Sequence, residues 1–195
     1  MNFLDKRASV ILLSIMTTLQ GNASFAANPS VPPSGWLEAG SEPSDYEMIG
    51  DRATTYSGKA SGCIRGGEKS RGFGTLMQMF RAENYRGKRV RMSAYAKSVN
   101  VQKWAGLWMR VDHDEKSVSF DNMRNRPLKG TTEWKKYEIV LDVPMEATKI
   151  AFGVLLNGQG TVWVDEFRFE EVPRSVPTTD TENTPKNPRN LSFEE

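Results

Sequence analysis

"RVRMSAYAKS" (Arg89–Ser98) decides the fold. Val90, Met92, Ala94 and Ala96 fall on one face, and Arg89, Arg91, Ser93, Tyr95 and Lys97 on the other. That alternation has period two, the signature of a half-buried strand rather than a helix. The same period recurs downstream. "YEIVLDV" sets Tyr137, Ile139, Leu141 and Val143 against Glu138, Val140 and Asp142, and "KIAFGVLL" lines up Ile150, Phe152, Val154 and Leu156. "TVWVDEFRF" reads as Trp163, Asp165, Phe167 and Phe169 against Val162, Val164, Glu166 and Arg168. "FGTLMQMF" (Phe73–Phe80) has strand length but a less regular pattern. Gly or Pro separates these runs, as in "YRGKR", "RPLKGTTEW", "DVPMEATK" and "NGQGT". No segment carries a long helical stripe. Several strands at regular spacing, each with one apolar face, predict an all-β antiparallel β-sandwich over residues 35–172.

The flanks read differently. Lys6 and Arg7 precede an apolar run centred on Val10–Leu19, and Ser24-Phe25-Ala26 places small residues where a signal peptidase needs them. Residues 1–26 therefore read as a secretory signal peptide and the protein as exported, to the periplasm or beyond. No later run approaches ~18 apolar residues, so no membrane span is expected. Residues 27–34 form a Pro-containing linker, and residues 173–195 a Pro-, Thr- and Asn-rich tail expected to be disordered.

The chain carries a net charge of +2, and losing Asp5, Lys6 and Arg7 with the leader leaves about +1. Such a balance gives no reason to expect nucleic acid as a partner. One cysteine and one histidine cannot build a zinc site or a cysteine–histidine pair by themselves. Cys63 reads as a buried strand position.

Function concentrates in "KWAGLWMRVDHD" (Lys103–Asp114). Ala105, Leu107, Met109 and Val111 form a core row, which leaves Trp104, Trp108, Arg110 and Asp112 on the opposite face, with Gly106 as a gap between the tryptophans. Two aromatics followed by a cation and an anion suit a ring-stacking site with charged groups to orient the ligand. The same ladder could instead be covered by a loop. The following stretch, "SFDNMRNRP", adds Asp121, Asn122 and Arg124 as a polar wall. The expected ligand is a carbohydrate or another small polar molecule. The rival readings are a small enzyme using Asp112, Asp121 and Arg110, and an interaction protein that pairs through its tail; the sequence leans against the enzyme. His113 falls on the face opposite Asp112 and Asp114, a surface position rather than that of a general base. No Gly-x-Ser-x-Gly, phosphate-loop or His-Glu-x-x-His stretch occurs in the chain. Oligomeric state is not readable.

"YSGKASGCIR" (Tyr56–Arg65), "FRAENYRGKRVRMSAYAK" (Phe80–Lys97) and "GQGTVWVDEFRFEEV" (Gly158–Val172) resemble the jelly-roll carbohydrate-binding modules of the galactose-binding-domain-like superfamily. "YRGKRVRMSA", "WAGLWMRVD", "FDNM" and "DVP" are further similar to an uncharacterised sandwich domain that accompanies bacterial helix-turn-helix regulators. The first resemblance implies a jelly roll and, in many relatives, a structural calcium. Its ligands would match Asp165, a carbonyl near Lys59, and a Glu on the first strand. This chain departs from that pattern, opening at "PPSGWLEAG" without the Glu motif, while "NLSFEE" (190–195) offers a strand of that type at the other end. The tail either supplies an edge strand there or is a remnant.

Overall fold

In the computed structural model, residues 31–180 are described. The expected signal peptide (1–26), the start of the linker and the tail strand over 190–195 lie outside the described residues. Nine antiparallel strands make up the domain: β1 (Leu37–Gly40), β2 (Tyr46–Asp51), β3 (Ser61–Gly66), β4 (Phe73–Arg81), β5 (Arg89–His113), β6 (Lys116–Asp121), β7 (Leu128–Asp142), β8 (Lys149–Asn157) and β9 (Gly160–Val172). Among the described residues no helix is long and apolar enough to cross a membrane.

The two segments that read as separate strands, 89–98 and 103–113, are one strand of 25 residues. Its first half pairs with β7 and β9. Its second half pairs with β6 and β8. One sheet thus runs β7-β5-β9-β3-β2 and the other β6-β5-β8-β4-β1, with β5 passing from the first into the second. The crossing requires a change of parity. Val90, Met92, Ala94 and Ala96 point inward in the first half, Val101, Ala105, Leu107, Met109 and Val111 in the second, and all are buried in one core. Asn100, at φ 52, takes the left-handed conformation where the register shifts. A strand that changes sheets at a corner needs such an irregularity, and Asn tolerates it better than most residues.

The sandwich interior is filled as the periodicity predicts for β7 and β8: Ile139, Leu141, Val143, Ile150, Phe152, Val154 and Leu156 are all in the core. β9 departs from its single alternating row. Val162 and Val164 face inward, but so do Phe167 and Phe169, which pack on Phe152. Between them Ser93 pairs with Arg168 and Tyr95 with Asp165, one residue more on β9 than on β5. This bulge, with Glu166 at φ 55, exchanges the faces and returns Trp163 and Asp165 to the outside. Cys63 is fully buried on β3, and loss of solvation pushes its thiol up to about 12, so it is not a reactive thiolate.

The packed body continues past Val172. Arg89 donates to the carbonyls of Arg174 and Val176, while Thr179 N–H donates to Val140 O and Val140 N–H to Thr179 Oγ1. Residues 173–180 therefore lie along the open edge of β7. Residues 173–180 make these bonds through main-chain and hydroxyl groups, which is why an apolar-poor composition concealed them.

The parity change yields a prediction. Asn100→Gly should leave stability unchanged, whereas Asn100→Ile should lower it by about 1–2 kcal/mol, because a β-branched residue is strained at positive φ. Urea denaturation of the two variants checks this; equal stability would show that the left-handed turn is not what sets the crossing.

Candidate functional site

The second half of β5 carries the ladder Trp104, Gly106, Trp108, Arg110 and Asp112 on the outer face of the second sheet. Cross-strand register fixes its neighbours. Trp104 stands beside Asn157 and Phe73, and Trp108 beside Gly153, Met77 and Leu37. Arg110 stands beside Ala151 and Met79 on one side and Phe120 on the other. A recess of about 300 Å³ opens here, lined by Phe73, Trp104, Trp108, Arg110, Phe120 and Asn122 with smaller residues of β1, β4 and β8. Phe120, 38 % exposed, forms one rim.

Trp108 is the floor rather than a free platform. It is 8 % exposed and packs with Ala151, Leu155, Phe73, Met77 and Trp104 in a small cluster outside the main core. Its indole N–H donates to Thr75 Oγ1 at 2.8 Å, and that hydroxyl donates on to Val154 O at 2.7 Å. Thr75 is itself buried, so the ring is held in one orientation.

The gap expected above Gly106 is filled by the protein itself. A Cβ there would stand 3.1 Å from Met123 Cβ and 3.2 Å from Asn122 O. The missing side chain lets the β6–β7 connection settle onto β5, instead of leaving a slot for a flat ligand. Within that connection Asp121 is not a site residue. It pairs in register with Met109, faces inward and is fully buried. There it accepts the Met123 N–H at 2.8 Å and holds Arg126, whose Nη2 donates to Oδ2 at 2.6 Å. Asp112 faces the other way, so the two carboxylates stand on opposite faces of the sheet and form no catalytic pair. Alternation across an isolated strand could not reveal this, because Asp121's face depends on which β5 residue it meets.

Asp112 is 6 % exposed and bound to its neighbour: Arg110 Nε lies 2.8 Å from Oδ1, and Nη2 donates to Oδ2 at 3.0 Å. Asp112 therefore positions the guanidinium and does not line the recess. Asn122 lines it, with Oδ1 already accepting the Arg124 N–H at 3.2 Å. Arg124 is exposed and outside the recess. His113 meets the Glu146 carbonyl through Nδ1 at 2.7 Å, away from this site. Reading β5 alone missed Phe73, Met77 and Phe120, which come from strands distant in sequence. The irregular apolar pattern of "FGTLMQMF" was the available signal for the first two.

Asp165, the side chain expected to ligate calcium, has both carboxylate oxygens engaged by backbone amides. Asp165 Oδ2 accepts the N–H groups of Tyr56 and Ser57 at 3.0 and 3.1 Å, and Oδ1 accepts the Glu166 N–H at 2.8 Å. Amide hydrogens on a carboxylate carry the same sign of partial charge as a cation and compete with it for the oxygens. Lys59 is in the exposed turn beyond Ser57. Among the described residues no group of three or more His, Cys, Asp or Glu side chains could hold a metal ion. Asp165 instead ties the 51–60 loop to β9.

No protein-family model matches the chain. It is 48 % identical over 171 residues to an uncharacterised HTH-type transcriptional regulator, YbfP, of Bacillus subtilis (strain 168), covering 83 % of this chain. The chain spans 57 % of that regulator's length. Among solved structures it is similar to the CBM22-1 xylan-binding domain from Paenibacillus barcinonensis, with 17 % identity, a TM-score of 0.51, and coverage of 72 % of this chain and 88 % of that one. A Stig cyclase from Fischerella sp. TAU, in complex with an indole-derived compound, is similar at 12 % identity with a TM-score of 0.52, over 78 % of this chain and 92 % of that one. The fold is thus the antiparallel jelly roll of carbohydrate-binding modules, as the strand motifs implied.

Two outcomes follow from the bonds above. Thr75→Val should cost about 1–3 kcal/mol by leaving the Trp108 indole N–H unpaired, and Thr75→Ser should restore most of it, as read by urea denaturation. Melting temperature should be equal in calcium and in chelator, while Asp165→Ala lowers it in both. A calcium-dependent rise in the parent protein would overturn the donor argument.

Proposed function

We propose that the protein is an exported, non-catalytic binding module that holds a small ring-bearing ligand, a carbohydrate or another small polar molecule, in the recess on its second sheet. The observation that carries this reading is the recess itself. Trp104 and the half-open Phe120 stand at its sides, Trp108 is locked as its floor, and Arg110 is pinned at its edge by Asp112. Rigid aromatic surface with few orienting polar groups is what a small-ligand pocket needs. A pyranose ring offers C–H groups to an indole face and hydroxyls to flanking donors. The xylan-binding domain with the same fold lends support to a sugar, and the cyclase with its indole-derived ligand to other flat molecules. The enzyme alternative relied on Asp112 and Asp121, which face apart.

The test is tryptophan fluorescence of the protein titrated with a panel of oligosaccharides and small ring-bearing metabolites. A saturable shift should appear and should weaken roughly tenfold in Trp104→Ala, since loss of one stacking ring costs about 1–1.5 kcal/mol. Trp104 serves better than Trp108 here, because its removal leaves no buried partner unpaired. No saturable shift with any member of the panel would end the reading.

A further inference from the structure

The hydrogen-bonding capacity of the recess narrows its ligand, an inference that rests on reading the recess as the binding site. Each side-chain acceptor that lines it already takes one hydrogen bond from the protein. Thr75 Oγ1 receives the Trp108 indole N–H, and Asn122 Oδ1 receives the Arg124 N–H. Asp112, the carboxylate at the edge, is spent on Arg110 and almost fully buried. The Trp108 N–H is turned inward to Thr75 and offers a ligand nothing. What remains is donors: the guanidinium N–H groups of Arg110 not used by Asp112, and the Asn122 amide nitrogen. A sugar hydroxyl donates as well as accepts, so a recess whose side-chain acceptors are already engaged pairs its hydrogens poorly.

Charge and apolarity point the same way. In the row beyond Arg110, Lys149 stands directly opposite Asp112, with Arg81 next to it. Arg81 is paired with Glu83 at 3.8 Å, so Asp112 faces Arg110 and Lys149, and Arg110 itself is 43 % exposed on its side chain. Around the donors the face is apolar well past the recess: Leu37 and Met79 stand on it at 56 % and 49 % exposure, beside Met77 and Phe120. Such a surface favours a flat, apolar body over a hydroxyl-covered one.

We propose that the recess takes a planar aromatic acid, its ring against Trp104, Trp108 and Phe120 and its carboxylate on the free N–H groups of Arg110. A planar fork of N–H donors matches a carboxylate in a way an ammonium does not.

Indole-3-acetate, its neutral analogue indole-3-acetamide, and a set of neutral oligosaccharides are the probes, with affinity measured by calorimetry. The acid should bind at least tenfold more tightly than the amide. That preference should vanish in the double variant Arg110→Gln/Asp112→Asn, which removes the ion pair as a unit and leaves no buried charge unpaired. Its melting temperature, measured alongside, confirms that it is folded, and Arg110→Lys supplies a second variant that keeps the charge and loses the fork. Equal binding of acid and amide, or a preference that survives in the double variant, overturns the proposal. Oligosaccharides binding more tightly than either indole overturn it too, while leaving the binding-module reading in place. Silence from all three probe classes defeats both.

Discussion

A single strand belonging to two sheets is the constraint on which the rest of the molecule depends. β5 contributes its first half to one side of the sandwich and its second half to the other, so both sheets are registered against the same backbone. The change of inward parity at Asn100 makes this physically consistent, because without it one half would turn its apolar row to water. Once β5 crosses, β8 pairs with its second half and β4 with the far side of β8. That places Phe73, Met77 and Leu155 beside the two tryptophans. The recess is therefore a consequence of how the sandwich closes rather than a separate feature of one loop.

Burial outside the core separates support from contact on that face. Trp108, Thr75 and Asp112 are buried on the outer side of the sheet; Trp108 and Thr75 are bonded to each other and on to the backbone, and Asp112 to Arg110, so they hold geometry. Trp104, Phe120, Arg110 and Asn122 keep accessible surface and line the opening. The Asp121–Arg126 pair does comparable work on the inner side. It anchors the connection that crosses Gly106, and the full burial of Asp121 makes that connection intolerant of losing Arg126, which would leave the carboxylate without its cation. The polar density of "FDNMRNR", read as a wall for ligand, is spent mostly on this internal anchoring.

The first sheet uses its polar residues differently. Its outer face is a lattice of ion pairs, among them Arg89–Asp142, Arg91–Glu170 and Arg168–Glu166, with Tyr56 stacked on Tyr95 at 3.7 Å. Tyr56 and Glu166 fasten the 51–60 loop and Arg89 the residues after Val172, while Arg91–Glu170 ties β5 to β9. The same residue types that suggest recognition when read along one strand serve here as fastenings between segments.

How much was legible follows from what a linear pattern can encode. The alternation in 89–98, 105–111, 137–143 and 150–156 determined the strands, their buried rows and the outward side of the Trp104–Asp112 ladder, because side chains of a strand must alternate whatever the neighbours are. The strand motifs were enough to specify a jelly roll. Tertiary structure alone decided the rest. It joined two strands into one, reversed the faces of β9 through a one-residue bulge, and turned Asp121 inward by pairing it with Met109. It also filled the Gly106 gap with a loop and set the amide hydrogens of Tyr56 and Ser57 on Asp165. Each of these depends on which residue of a distant segment arrives opposite, and a pattern of period two carries no record of its partner.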